Sequence, residues 1–335
     1  MKNKPKILIT GVAGFIGSNL LDALLSKNKY EIIGVDNFSF GNYENIRHQI
    51  KNPNFKFYKI DILNFNQLKK AVRKVDIIIH LAAYKKIYEN DSAFKLLNNN
   101  TLGAKNILDL AHIRKAKVIM SSTSDVYGTS TKIPFREDGE LMLGPSNVKR
   151  WSYAAFKLFD EHLAFAYYED FKVPVVILRY FGTFGPRMAT NWSGGHIPLF
   201  TERILQKKPV IIHGNGKQTR SLCYITDNVE SIIRAMFKPK AVGQIINVGS
   251  DEEVSVIETA YLIHKTICRL TGKKYPLKIK YVPLKKVFGN YKEIMRRVPD
   301  LSKCKKILHY KAKLNFEKGL ELFVSWYLKE RGKKR

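Results

Sequence analysis

Tyr153 and Lys157, in the stretch WSYAAFK, are the pair of residues in this 335-residue chain best suited to moving a proton. Four residues apart on a helix, both side chains face the same way. A phenol with its usual pKa near ~10 is a poor base at neutral pH. A neighbouring ammonium favours the phenolate, which can take a hydroxyl proton while hydride leaves the same carbon. The hydride needs an acceptor, and ITGVAGFIGSNL, Ile9 to Leu20, points to one. Gly11, Gly14 and Gly17 stand between an apolar run and a helical pattern opening with Phe15 and Ile16. A helix N-terminus carries unpaired N–H groups and partial positive charge that stabilise a pyrophosphate. Gly11 and Gly14 clear the turn for its approach, and Gly17 lets the helix pack on the strand. Asp36 closes a second apolar run about twenty residues on, where a carboxylate accepts from adenosine ribose hydroxyls and repels a 2′-phosphate. The cofactor implied is NAD. A lone glycine triplet or a lone Y-x-x-x-K means little; their order along one chain carries the reading.

These residues need a scaffold, and the chain supplies a rhythm for one. Short β-branched runs at Lys6–Thr10, Glu31–Asp36, Phe55–Ile60, Val75–His80, Lys117–Ser122 and Val173–Tyr180 alternate with helical segments, the longest at Asp91–His112 and Ser152–Asp170. Strand–helix alternation predicts an α/β fold, a doubly wound parallel sheet covered on both faces. After about residue 181 glycines and prolines crowd in and the elements shorten. The expected division is a dinucleotide-binding domain over residues 1–181, which segments around 211–250 rejoin, and an interleaved, smaller α/β substrate domain over 182–330, with a basic tail at 331–335.

Composition limits the alternatives. Hydrophobic residues at 45% and charged residues at 26% describe a globular chain, not a disordered one. No export signal is read in the first residues and no run is long enough to span a bilayer. Cys223, Cys268 and Cys304 are far apart with no C-x-x-C pair, so free thiols in a reducing cytoplasm are expected and a metal site is not. The formal charge of +29 would attract polyanions. The lysines are scattered and form no aromatic-basic recognition motif, so no specific nucleic-acid partner is expected, while peripheral contact with an acidic surface stays open.

The glycine spacing is G-x-x-G-x-x-G, and with it the chain resembles the extended short-chain dehydrogenases, the Rossmann-fold, NAD-dependent nucleotide-sugar epimerases, dehydratases and decarboxylases. The resemblance continues along much of the chain. It implies that Asp61 and Ile62, with Asn37 nearby, lie at the adenine end, and that Leu81, Ala82 and Ala83 after His80 line the cofactor. Asn100 matches the family's N-x-x-G. By the same resemblance Ser121 and Tyr180 belong to the cofactor site, Lys157 also binds the nicotinamide ribose, and Thr123 bonds the sugar oxygen beside Tyr153. RYFGTFGPRMA (179–189) resembles the substrate loop and implies Arg187 as a ligand. Gly182 stands where the family usually has Asn, a bond that Asn191 could supply. HGNGKQTRSLCYITD (213–227) resembles the uridine-diphosphate segment, with His213 against the base and Arg220 on the diphosphate. MRRVPDLSK (295–303) resembles the late segment in which an arginine, Arg296 or Arg297, clamps phosphate and Asp300 approaches a ribose. Ile225-Thr226-Asp227 is expected to cap the next helix and to need no chemical role.

The resemblance leaves the reaction open. SSTSDVYG (121–128) reads T-S-D at Thr123, Ser124 and Asp125. Family 4,6-dehydratases read T-D-E and uronate decarboxylases T-S-E, so this chain has the decarboxylase layout with a carboxylate one methylene shorter, and Ser124 sits among the substrate contacts. The alternative role for Asp125 is to cap the following turn. WSYAAFK, by contrast, resembles the epimerases, because decarboxylases usually have an acid following the tyrosine. The expectation drawn is a 4-epimerase acting on a UDP-hexose or UDP-hexuronate, with a UDP-glucuronate decarboxylase as the alternative. A reading from another class is a non-catalytic Rossmann protein binding RNA through its charge. The family's habit of pairing the tyrosine-bearing helix with its neighbour implies a homodimer.

Overall fold

The structure, a computed structural model, describes residues 4–84, 92–189, 195–289 and 293–333. Asn191 therefore lies outside the described residues. The first half of the chain alternates as its periodicity predicts: β1 (Lys6–Thr10), α1 (Phe15–Leu25), β2 (Glu31–Asp36), β3 (Phe55–Lys59), α2 (Phe65–Ala71), β4 (Ile77–His80), α3 (Ala93–Arg114), β5 (Lys117–Thr123), α4 (Ser152–Phe171) and β6 (Val175–Tyr180). The sheet is parallel because each strand is followed by a crossover long enough to return the chain to the same edge. β1 shows how one sequence serves two layers. Ile7 and Ile9 face a core built with Leu20, Leu21 and Leu24 of α1, and Leu8 between them faces the opposite core with Ile107 and Leu108 of α3. Successive side chains of a strand point to opposite faces, so a strand covered on both sides must be apolar throughout.

The second half adds β7 (Gly182–Phe184), α5 (His196–Leu205), β8 (Val210–His213), β9 (Thr219–Tyr224), α6 (Ile225–Phe237), β10 (Gln244–Val248), β11 (Glu253–Ser255), α7 (Val256–Thr271), β12 (Ile279–Val282), α8 (Leu284–Phe288) and α9 (Phe316–Lys333). β10 runs parallel to β6 and completes a seven-stranded sheet of order β10-β6-β5-β4-β1-β2-β3. The remaining strands form a three-stranded sheet, β11-β9-β7, and a parallel pair, β12-β8. In the large sheet the winding reverses between β1 and β4. Crossovers there leave in opposite directions, which opens a crevice at the C-terminal ends of the strands.

One local expectation is corrected. Asp227 does not cap α6, whose N-terminus has no side-chain cap. Its buried carboxylate instead accepts from the Tyr310 hydroxyl and from the backbone N–H groups of Lys313 and Leu314, at 3.0 and 3.1 Å. It thus pins the segment that leads into α9. Among the described residues no helix is long and apolar enough to cross a membrane.

Candidate functional site

The glycine turn between β1 and α1 is closed by contacts that exclude side chains. Gly11 has φ +70°, and a Cβ on it would sit 2.8 Å from the backbone N of Ala82. A Cβ on Gly17 would collide with the Gly11 carbonyl, so Gly17 is what lets α1 rest on the turn. Leu81 and Ala82 in turn donate backbone N–H groups to the Thr10 hydroxyl, each at 3.3 Å, so the ends of β1 and β4 are laced together beneath the turn, with Ala83 next along the chain. Gly14 leads into Phe15 and Ile16, the first residues of α1, and α1 has no side-chain cap. That combination leaves helix N–H groups for an anion, which suits a pyrophosphate.

At the end of β2 the Asp36 carboxylate accepts from the N–H groups of Ala13 (2.9 Å) and Phe38 (2.8 Å). Gly41, which sequence reasoning passed over, keeps the space beside it: a Cβ there would lie 2.8 Å from both carboxylate oxygens. A carboxylate has about four acceptor positions, so capacity remains for a vicinal diol. Burial raises the Asp36 pKa, against the two backbone bonds. Asn37 donates to Asp61 (2.9 Å), which also accepts from the Leu63 N–H, and Ile62 packs on Gly103 of α3. Asn100 acts on the polypeptide: its amide holds both the N–H and the carbonyl of Tyr84, at 2.6 and 2.9 Å.

The residues expected to move a proton lie at the end of β5 and the start of α4. Tyr153, Lys157, Asp160 and Glu161 are all buried on one face of α4, as the helical period requires. Lys157 donates to the Ser121 carbonyl at 2.8 Å and lies 3.6 Å from an Asp160 oxygen. Glu161 accepts from Ser122 (2.5 Å) and from both arms of Arg179 of β6 (2.9 and 2.6 Å), clamping the helix to the sheet. Thr123 accepts from the Asp125 N–H at 3.2 Å, and the two side chains lie 3.3 Å apart. Ser124, the residue between them in the chain, is buried, and so is Tyr180 on the neighbouring strand.

Two electrostatic features differ from the sequence reading. The first concerns Tyr153. In the chain alone its pKa is raised, not lowered: burial acts first, then the negative charge of Asp125, with Arg150 opposing and Asp160 adding to the rise. Lys157 turns to Ser121 and Asp160 and does not drive the phenol toward ionisation by itself. The second concerns Asp125. Its buried carboxylate is 2.5 Å from Arg297 and 3.5 Å from Arg150. Arg297 is carried there by a segment held on both sides, because Val298 and Asp300 bond the backbone of Phe135 while the Met295 and Arg297 carbonyls accept from β9. Sequence reasoning did not single out Arg150; its position three residues ahead of Tyr153 was the available signal.

The remaining candidates are held by partners of their own. Arg187, with φ +69°, reaches back to Asp22 of α1 at 2.5 Å, tying the 182–189 loop to the helix behind the glycine turn. Arg220 bonds Glu293 (2.8 Å) and the carbonyls of Thr219 and Ile294. Arg296 forms a two-pronged pair with Glu253 of β11, at 2.9 and 2.8 Å, and points away from the Arg297 cluster by the alternation of an extended segment. Asp300 accepts from the Ser302 N–H at 2.7 Å. His213, at the end of β8, is half-buried with its pKa lowered by burial.

Comparison with known proteins agrees with this architecture. The family model described as GDP-mannose 4,6 dehydratase matches residues 8–323. A UDP-N-acetyl-alpha-D-glucosaminuronate decarboxylase of Bacillus cytotoxicus is 38% identical over 326 residues, 97% of this chain and 98% of that protein. UDP-glucuronic acid decarboxylase 4 of Arabidopsis thaliana is 32% identical over 320 residues, covering 95% and 68% of the two chains. Among solved structures, a UDP-glucuronic acid 4-epimerase from Bacillus cereus in complex with UDP-glucuronic acid and NAD superposes with a TM-score of 0.84, at 30% identity, covering 97% of this chain and 99% of the other.

Proposed function

The chain belongs to the NAD-dependent nucleotide-sugar epimerase and dehydratase family of extended short-chain dehydrogenases, and we propose that its own reaction is decarboxylation of a UDP-hexuronate, glucuronate or an N-acetylated relative. The observation that carries the reading is the buried Asp125–Arg297 pair, flanked by Arg150, at the end of the strand that faces Tyr153. This moves the preference away from the 4-epimerase suggested by WSYAAFK.

The chemistry is that of a β-keto acid. Bound NAD supplies the acceptor for hydride from C4 of the sugar and the donor that returns it; Gly11, Gly14, Asp36 and Lys157 are the residues that would hold it. Tyr153 takes the O4 proton. Because burial and Asp125 keep this phenol protonated in the chain alone, its ionisation depends on positive charge brought beside it, from Lys157 and the oxidised ring. Once C4 is a ketone, the C5–C6 bond lies β to it. Its electron pair can move into the carbonyl as an enolate, on which Tyr153 and Thr123 place hydrogen bonds, and C6 departs as CO₂. A proton then adds at C5. Arg297 and Arg150 orient the leaving carboxylate, while Asp125 shares the same cations and repels it. That repulsion vanishes when the carboxylate becomes neutral CO₂, so it lowers the barrier to that step and not to simple binding. A uronate epimerase requires the opposite, a carboxylate held firmly.

The 4-epimerase remains the second reading, favoured by Ala154 and Ala155 where decarboxylases have an acid. Incubation with UDP-glucuronate and UDP-N-acetylglucosaminuronate, read by mass spectrometry, separates the two. Loss of CO₂ supports the proposal; a product of unchanged mass with inverted C4 overturns it.

We further propose a homodimer built on α3 and α4. The two helices expose Phe94 (76%), Leu97, Leu102, Phe159 (49%) and Phe171 (51%), apolar side chains that a partner's helices would cover.

A further inference from the structure

Asp160 is a buried carboxylate with no counterpart in the mechanism above. Its side chain is 4% exposed and that of Lys157 3%, and their charged atoms stand 3.6 Å apart. One oxygen of Asp160 faces Lys157; the other, Oδ1, is buried with no hydrogen-bond partner. A carboxylate left half-satisfied in a protein interior is costly unless its charge answers another. Lys157 donates one of its three N–H groups to the Ser121 carbonyl at 2.8 Å, and Asp160 lies 3.6 Å from the same ammonium, close enough for its charge to answer the lysine's.

We propose that Asp160 is a positioning residue whose charge balances Lys157 so that the buried site accepts the cationic nicotinamide of oxidised NAD beside that lysine. The inference rests on the reading that Lys157 lies at the nicotinamide end of the cofactor. Without Asp160 the oxidised ring would enter next to an uncompensated ammonium, a repulsion that the neutral, reduced ring does not meet. Asp160 thus acts on the difference between the two redox forms, which is what a reaction that must return its hydride depends on.

The charged and titratable groups around Asp160 are few. On α4 they are Tyr153, whose pKa the Asp160 charge helps to raise, Lys157 and Glu161, and Glu161 is spoken for by Arg179 of β6 and Ser122 of β5. From β4, His80 lies in the field of Lys157; burial and that charge depress its pKa to about 3, so it stays neutral. On α3, Lys105 and Asp109 pair with each other at 2.7 Å, and Asp109 also holds Tyr167 two turns further along α4. Burial raises the Asp160 pKa to about 6, with Lys157 opposing. The sign follows. Below about pH 6 the carboxyl is neutral and the site carries the lysine's charge alone; above it the pair is balanced.

The test is calorimetric binding of NAD and of its reduced form, from pH 5 to pH 8, to the wild-type chain, Asp160→Asn and Lys157→Met. In the wild type, affinity for oxidised NAD should rise roughly tenfold as pH passes through 6, while affinity for the reduced form changes little. Asp160→Asn should lose that step and bind the oxidised form about tenfold more weakly at pH 8, with the reduced form nearly unaffected. A merely structural carboxylate would weaken both forms alike, and that result overturns the proposal, as does an unchanged ratio in Asp160→Asn. If Lys157→Met leaves both affinities intact, the placement of Lys157 itself fails, and the inference with it. Should Asp160→Asn not fold, Asp160→Ser carries the same comparison.

Discussion

Replacing Asp125 with Asn is the sharpest probe of the proposed reaction, because it removes a charge and keeps the shape. In the structure Asp125 holds one arm of Arg297 at 2.5 Å, with Arg150 at 3.5 Å. A substrate carboxylate bound by the other arm of the same guanidinium would lie roughly 5 Å from Asp125. At an effective dielectric of about 20, two negative charges at that separation repel by about 3 kcal/mol. Since about 1.4 kcal/mol is a factor of ten, CO₂ release should fall about two-hundredfold in Asp125→Asn. Oxidation at C4 should persist. Loss of the Asp125 charge also lowers the Tyr153 pKa, because that charge helps to raise it, so the oxidation step should reach its full rate at lower pH than in the wild type. The assay is rapid quench with a UDP-hexuronate, following CO₂ by mass and the reduced cofactor by its absorbance; the variant should accumulate reduced cofactor before any product. Leaving two cations without their partner can cost about 3–5 kcal/mol of stability, so Asp125→Glu is the control. It restores the charge on a longer arm and should recover most of the release. Wild-type release in a folded Asp125→Asn would refute the reasoning.

Three other outcomes follow from the same geometry. Tyr153→Phe should slow C4 oxidation by about 10²–10⁴ yet bind NAD within a few-fold of wild type, measured by single-turnover absorbance and calorimetry; unimpaired oxidation would remove the phenol from the mechanism. Asp227→Asn leaves one oxygen to serve the Tyr310 hydroxyl and two backbone N–H groups. It should cost about 2–3 kcal/mol and lower Tm by several degrees with KM unchanged, whereas a helix cap would cost only about 1 kcal/mol. Phe159→Lys, at an exposed position of α4, should turn a sedimenting dimer into a monomer of unchanged helix content; a wild-type chain that sediments as a monomer defeats that proposal directly.

Much of the scaffold was legible in the residues. Strands buried on both faces must be apolar without interruption, and helices over them must carry an apolar stripe, so the boundaries of β1, β2 and α4 lie close to where the periodicity puts them. The glycine turn was legible because its requirement is local: Gly11 has a positive φ, and Gly17 has no room for a Cβ. The role of Asp227 was misread for the opposite reason. Its position before a helical run suggests a cap, but its partners come from residues 310–314, which nothing in the local pattern announces.

By itself the amino-acid sequence determined the parallel sheet, the glycine turn with Asp36 beside it, and the spacing that sets Tyr153 and Lys157 on one helical face, since each depends on neighbours within a few turns or one crossover. Only the tertiary structure decided which charges surround them. Arg297 lies 172 residues from Asp125, and of two adjacent arginines the extended backbone sends one inward and the other out to Glu253. The direction of the Tyr153 shift was likewise hidden, because burial and the Asp125 field outweigh a lysine that has turned to Asp160. Electrostatic energy is set by distance through space and by exclusion of water, and neither is a property of spacing along the chain.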